Sequence, residues 1–160
     1  MRILVLQLAR FGDIYQTWPA LKALKRVNPQ AEIHVLVRHR FREAMEGIDG
    51  VVTHTWPSAE VLEPVYREGD EQAALQRLGK KLEPLIAMKF DRIVNLTFSP
   101  MSSFLTDALS HGHTQVTGYT RFADGFLNIP DDASAYFFAQ GEIGKFNRYH
   151  VTQIFALVAG

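Results

Sequence analysis

The sequence predicts an α/β domain, a Rossmann-like open parallel sheet with helices on both faces. Three observations carry this. A near-continuous apolar run, Ile3 to Leu8, suits a strand covered on both sides. A helical pattern and a second β-prone run, Ile33 to Val37, come after it and complete a strand–helix–strand unit. Beyond that unit, short apolar runs and helical patterns keep alternating, and such alternation builds parallel sheets with right-handed crossovers.

The elements come in order. After Ile3–Leu8, a helix carries Ile14, Trp18, Leu21, Leu24 and Val27 on one stripe. Either Thr17 caps it just before Pro19, or it starts near Asp13 and accommodates Pro19; Ile14 continues the stripe and favours the earlier start. Asn28-Pro29 ends it. After the second strand, His39 to Met45 reads as helical, Gly47 and Gly50 flank a turn, and Val51 to Thr55 reads as a third strand. Trp56 to Gly69, with Pro57, Pro64 and mixed charges, reads as irregular. A helix is expected from about Asp70 to Met88, burying Leu75, Leu78, Leu82, Leu85 and Ile86, with Pro84 kinking or splitting it. Asp91–Leu96 is a fourth strand, Met101–Leu109 a short helix and Thr114–Gly118 a fifth strand. Tyr119 to Lys145 reads as loop, with an edge strand available at Ala135–Phe138. Asn147 to Val158 reads as a final helix capped by Asn147, with Val151, Ile154, Phe155 and Val158 inside.

Composition narrows the function. A chain of 160 residues, 47% hydrophobic, suits one domain with a sizeable core. Acidic and basic residues balance at 17 each, so no global charge calls for nucleic acid, and no basic–aromatic interleaving suggests base stacking. The absence of cysteine excludes disulfides, thiolate catalysis and cysteine-bound metal, and fits a cytoplasmic location. His111 and His113 stand two residues apart without an H-E-x-x-H pattern, so no metal site is expected. The first apolar run is too short for a signal peptide or a membrane span, and the charges of Arg10 and Asp13 break it off.

Ligands of such sheets usually sit beyond the carboxyl ends of the strands. The loop Leu8–Asp13 is the leading candidate. Gly12 permits a tight turn or a positive backbone angle. Asp13 either caps the helix, or is a carboxylate held over the sheet edge to accept a proton from a hydroxyl. With Gly12 alone, the loop lacks the G-x-G-x-x-G of dinucleotide sites, and no G-x-x-x-x-G-K-[ST] or G-x-S-x-G occurs. No cofactor is therefore expected in this domain. Arg38, His39, Arg40 and Arg42 after the second strand are either an anion site or a solvated face. Thr97, Ser99, Ser102 and Ser103 either offer hydroxyls and helix amides to an anion or sugar, or cap a helix in a polar turn. Trp18 reads as core, and Trp56 as a loop residue with some promise as a platform for a sugar.

The opening M-R-I-L-V-L-Q-L-A-R-F-G-D-I-Y-Q-T-W-P-A-L-K-A-L-K resembles that of the ADP-heptose:lipopolysaccharide heptosyltransferases and their relatives in glycosyltransferase family 9. The G-D…T-x-P-A-L combination is its most specific part. Weaker likeness runs through Pro29–Ile33, Phe90–Leu96, Gly118-Tyr119, His150-Val151 and Leu157–Gly160. The resemblance implies one Rossmann-like half, residues 1–160, of a GT-B enzyme, facing a lipopolysaccharide core or related glycan acceptor. A carboxy-terminal nucleotide-binding domain, absent from this chain, would hold ADP-heptose, and sugar transfer would proceed with inversion. Asp13 would be the general base, Arg10 and Gly12 would shape its site, and Arg38 and Arg40 would meet acceptor phosphates, with Thr97 and Ser99 as further substrate contacts. The isolated chain would then be nearly inactive, and its parent would work in the cytoplasm with peripheral contact at the inner membrane. A non-catalytic sugar- or phosphosugar-binding domain and a small nucleotide-binding domain are the competing readings.

Overall fold

β1 (Arg2–Gln7) is fully buried from Ile3 onward, and in the computed structural model, which describes residues 1–143 and 147–160, it forms the middle of the sheet. The strands lie in the order β3 (Val51–Trp56), β2 (Glu32–Arg38), β1, β4 (Arg92–Asn95), β5 (Gln115–Gly118), all parallel. Val5 pairs with Val35 on one side and Val94 on the other. Alternate side chains of β1 enter opposite halves of the core. Ile3 and Val5 pack with Ile14, Leu21 and Leu24 of α1 (Phe11–Val27) and with Ile154, Phe155 and Val158 of α6 (Val151–Ala159). Leu4 and Leu6 pack with Leu85 of α3 (Glu71–Ala87), with Phe90, and with Leu105 and Leu109 of α4 (Pro100–Leu109). Two-sided covering explains why β1 reads as an unbroken apolar run. Each such side chain contributes about 1.5–3 kcal/mol by leaving water.

The helix α1 starts early, in keeping with Ile14, and runs through Pro19, whose ring lies on the exposed side. Its inner stripe differs at two places: Thr17 is buried, whereas Val27 is 64% exposed beyond the last sheet contact. His39–Met45 is helical but wound as a three-ten helix.

Trp56–Gly69 is not irregular. Trp56 ends β3 and is buried, and α2 (Ser58–Glu68) comes next. Pro64 sits inside this helix with Val61 on its buried side. Gly69 closes α2 in the left-handed region (φ 68°), donating to Val65 O at 3.0 Å, while Asp70 N–H reaches Pro64 O at 3.2 Å. Asp70 then caps α3 by accepting the Ala73 N–H at 2.9 Å. The mixed charges tie the two helices together: Glu63 meets Arg77 at 2.9 Å and Glu60 meets Lys81 at 2.9 Å. α3 passes through Pro84 as one helix and turns Ala74 and Leu85 inward, with Leu78 and Leu82 packed on the core. Leu75 and Ile86 are exposed instead, at 65% and 49%, because α2 covers only part of this helix.

The stretch after β5 is more ordered than expected. β6 (Thr120–Arg121) and β7 (Leu127–Asn128) make a small antiparallel hairpin. Ala135–Phe138 is no edge strand but part of α5 (Asp132–Ile143). Asp131 starts it by accepting the Ser134 N–H at 2.8 Å, and the alanine-rich run has no β-branched residue before Ile143 to resist it. Residues 144–145 of the expected loop lie outside the described residues. α6 begins at Val151 with His150 as its cap, not at Asn147. The Asn147 side chain instead accepts the Tyr149 N–H at 2.9 Å and the Tyr136 hydroxyl at 3.1 Å.

Two positions are sensitive enough to test the packing. Gly118 ends β5 at φ 97°, and a Cβ there would lie 2.0 Å from Asn95 O. Gly118→Ala should therefore cost more than about 2 kcal/mol in urea unfolding, with displacement of the β4–β5 pair. On the α3 face, His34 and His54 stack at 5.1 Å and share a hydrogen bond of 2.8 Å. Burial first, then the neighbouring His34, holds the His54 imidazole below its usual 6.5, against a smaller opposite pull from Glu32. The stability this gives is complete above 6.5 and is lost as pH falls through the lowered pKa, because the unfolded chain takes up the proton first. Unfolding curves taken as the pH falls below 6.5 should show this loss, and His54→Gln should flatten the slope.

Candidate functional site

The chain order reverses between β1 and β4: the loop after β1 leads to α1 on one face, and the loop after β4 leads to α4 on the other. That switch point opens a crevice at the carboxyl edge of the sheet. Its floor is a buried polar network. Gln7 Nε2 donates to Thr17 Oγ1 at 3.1 Å, and Gln7 Oε1 accepts from Thr97 Oγ1 at 3.1 Å and from the Ala9 N–H at 3.2 Å. Thr97 Oγ1 in turn accepts the Leu8 N–H at 2.7 Å. Asn95 extends the network to the residue just past β5, accepting the Thr97 N–H at 2.9 Å and donating to Tyr119 O at 2.7 Å. Gln7 and Asn95 are wholly enclosed, and Thr17 and Thr97 nearly so. Every polar atom in such a place needs a partner, and here the partners belong to two different loops.

Arg10, Gly12 and Asp13 come together above this floor. Arg10 precedes the first residue of α1, and Asp13 is the third residue of the helix. The half-buried Asp13 accepts the Arg10 N–H through Oδ2 at 3.0 Å, as a carboxylate in the first turn of a helix should. Its Oδ1 has no hydrogen-bond partner among the described residues. Gly12 has an ordinary helical backbone, so the positive angle open to a glycine is not used. A Cβ at Gly12 would meet nothing within 4 Å, which leaves open space beside Asp13. Arg10 is exposed and has no ion pair among the described residues.

The second group lies at the ends of β2 and β3. Arg38, His39 and Arg40 line a cleft of about 320 Å³ with Trp56, Pro57 and Ser58. Arg40 lies 4.4 Å over the ring of Phe41, and Phe41 meets Phe11 of α1 edge-on at 6.3 Å. Aromatic packing thus joins this group to the first loop. Phe11, Tyr15 and Trp18 continue as a ladder along α1, where Trp18 Nε1 donates to Ala44 O at 3.1 Å.

Thr97 and Ser99 are committed to the scaffold. Thr97 belongs to the network, and Ser99 caps α4 by accepting the Ser102 N–H at 3.1 Å. Ser102 and Ser103 also turn their hydroxyls to nearby carbonyls. Residue type alone singles out neither Thr17 nor Asn95. The available signal is position: Gln7 and Asn95 are polar residues ending strands that are apolar after their first arginine. Among the described residues, no group of three or more His, Cys, Asp or Glu side chains could hold a metal ion, and no helix is long and apolar enough to cross a membrane.

The network gives a direct test. Thr97→Val keeps the side-chain volume but leaves the buried Leu8 N–H and the Gln7 carbonyl oxygen each short of a partner. Urea unfolding should show a loss of about 1–3 kcal/mol.

Comparison with family models finds no match, and neither does a search among curated proteins. Solved structures do match. An Escherichia coli heptosyltransferase, WaaC with ADP, overlays 99% of this chain at a TM-score of 0.70 and 16% identity, using 46% of its own length. A glycosyl transferase family 9 protein from Veillonella parvula overlays 98% at 0.64 and 18% identity, using 39% of its length. The E. coli ADP-heptose lps heptosyltransferase II overlays 72% at 0.53 and 20% identity, using 30% of its length. The chain spans about half the length of the first of these, or less in the others, and what it shares with them is the fold, a Rossmann-like parallel sheet of the kind that forms one half of a GT-B glycosyltransferase.

Proposed function

We propose that this chain is the amino-terminal, acceptor-binding half of an inverting glycosyltransferase that moves heptose from ADP-heptose to a lipopolysaccharide core acceptor. One observation carries the reading: at the switch-point edge, Asp13 spends one carboxylate oxygen on the helix start, and the other has no hydrogen-bond partner among the described residues, beside the bare Gly12. The fold likeness to a heptosyltransferase with ADP supports it.

Asp13 Oδ1 accepts the proton of the acceptor hydroxyl as that oxygen attacks the anomeric carbon. The new C–O bond forms on the face opposite the diphosphate, the old C–O bond breaks, and ADP leaves with the electron pair. The departing diphosphate needs donors of its own, and this reading assigns them to a carboxy-terminal nucleotide-binding domain outside this chain. Arg10 and Gly12 shape the acceptor side, Arg38 and Arg40 meet anionic groups of the acceptor, and Thr97 and Ser99 hold the loop in place. The enzyme would work at the cytoplasmic face of the membrane that carries its acceptor, as a peripheral protein.

Asp13→Asn in the full-length transferase keeps an oxygen for the Arg10 N–H, so its thermal stability should stay close to that of the parent. Transfer from ADP-heptose should fall by about 10²–10⁴-fold. Turnover near that of the parent would overturn Asp13 as the base, and a full-length protein inert toward ADP-heptose would overturn the donor.

A further inference from the structure

The two edges of the main sheet are finished differently. β5 has four residues, α5 packs beside it, and Asp131 accepts the N–H of its last residue, Gly118, at 2.6 Å. β3 lies at the opposite edge and is longer, six residues from Val51 to Trp56. It pairs with β2 throughout, from Val51 on Ile33 to Trp56 on Arg38. Among the described residues, no other backbone group bonds to it. Its outer N–H and C=O groups are an open row.

Edge strands are normally blunted by charge, proline, a bulge or a covering element. β3 has no such protection among the described residues. Its sequence, Val-Val-Thr-His-Thr-Trp, holds no Lys, Arg, Asp, Glu or Pro, and four of its six residues are β-branched. The unbroken register with β2 leaves no bulge. Val52 is 43% exposed on one face of the strand, and Thr53 and Thr55 are exposed on the other.

We propose that β3 is the contact of a two-fold dimer, in which it pairs antiparallel with β3 of a second copy of this chain and joins two five-stranded sheets into one. The chemistry of the edge favours a second copy over an unrelated strand. An uncharged strand does not repel its own image, and the chain as a whole balances 17 acidic against 17 basic residues. With the axis at Thr53, Val52 lies opposite the partner's His54 and Val51 opposite the partner's Thr55, so β-branched side chains meet across the pair and each exposed Val52 is covered by an imidazole. An axis at His54 would instead set two imidazoles against each other. Six residues of strand are about 20 Å long, and over the thickness of the sheet and its flanking layers the contact is on the order of 500 Å² per copy. That is about 1,000 Å² in total, the lower limit for a specific interface, and it suits a weak, reversible dimer. The contact uses neither Asp13 nor its crevice and is independent of the acceptor reading. Because the copies run antiparallel, their carboxyl edges point in opposite directions and both crevices stay open.

Sedimentation velocity of the 160-residue chain tests this. Between about 5 and 500 µM it should pass from monomer to dimer and no further, with a Kd on the order of 10–100 µM. Thr53→Lys puts two ammonium groups face to face on the axis and should raise the Kd at least about fivefold, with the monomer's circular dichroism unchanged because Thr53 is exposed. The chain has no cysteine, so a single introduced thiol reports the register. Thr53→Cys meets its own copy on the axis and should form an interchain disulfide under mild oxidation. Thr55→Cys, about 13 Å from its copy, should not. A chain that stays monomeric at every concentration would overturn the dimer, as would open-ended aggregation. Association indifferent to Thr53→Lys, or Thr55→Cys cross-linking as fast as Thr53→Cys, would remove β3 as the contact.

Discussion

Gln7 is the group on which the site depends. Its amide lies at the end of the central strand, wholly enclosed, and it holds both loops of the switch point at once. One end of the amide fixes Thr17 of α1, and the other fixes Thr97 beyond β4. Because the surroundings are dry, each of these bonds is stronger than it would be in water, and each is costly to lose. The sheet supplies the strand ends, but this one side chain sets how far apart the two loops stand. Asp13 inherits its position from the same arrangement, since the Thr17 hydroxyl donates to Asp13 O at 2.9 Å.

Much of this architecture is legible in the sequence, for physical reasons that vary by element. β1 is readable because both of its faces are covered, so nothing polar interrupts it before Gln7. α1 is readable through Ile14, Leu21 and Leu24, which must all meet the sheet. α2 is not, because Pro57 and Pro64 resemble breakers when the helix starts right after one and absorbs the other. α5 is obscured for a different reason. Tyr136, Phe137 and Phe138 have aromatic side chains that suit strands, and the deciding contact is the single carboxylate of Asp131 at the helix start. For α3, periodicity identifies the helix but not its depth, so Leu75 and Ile86 look like Leu85 until the placement of α2 is known.

The site divides along a similar line. Arg10, Gly12 and Asp13 are adjacent in sequence and remain adjacent in space. The hydroxyls of Thr97, Ser99, Ser102 and Ser103 look equally available in the sequence, but folding spends them on caps and on the network. Arg38 and Arg40 go the other way. In sequence they sit near Glu43 and Glu46, which could neutralise them, and in the structure those acids do not pair with them. What distinguishes a ligand-facing group from a structural one is whether the fold has already given it a partner, and residue type does not reveal that.

The central place of β1 also has a consequence in time. Its pairing with β2 spans a short loop through α1, whereas Leu8 and Thr97 are separated by 89 residues. The β1–α1–β2 unit can gather early, but one edge of an apolar strand then stays open until β4 is made. At about 5–20 residues per second, ribosomal synthesis leaves that edge exposed for on the order of 4–18 s. Over that interval the nascent chain carries an unpaired, water-averse ribbon that any neighbouring strand could join. Closing a loop of such length is also slow relative to local helix formation. The feature that makes the mature sheet secure is thus the one that leaves the growing chain most open to wrong partners.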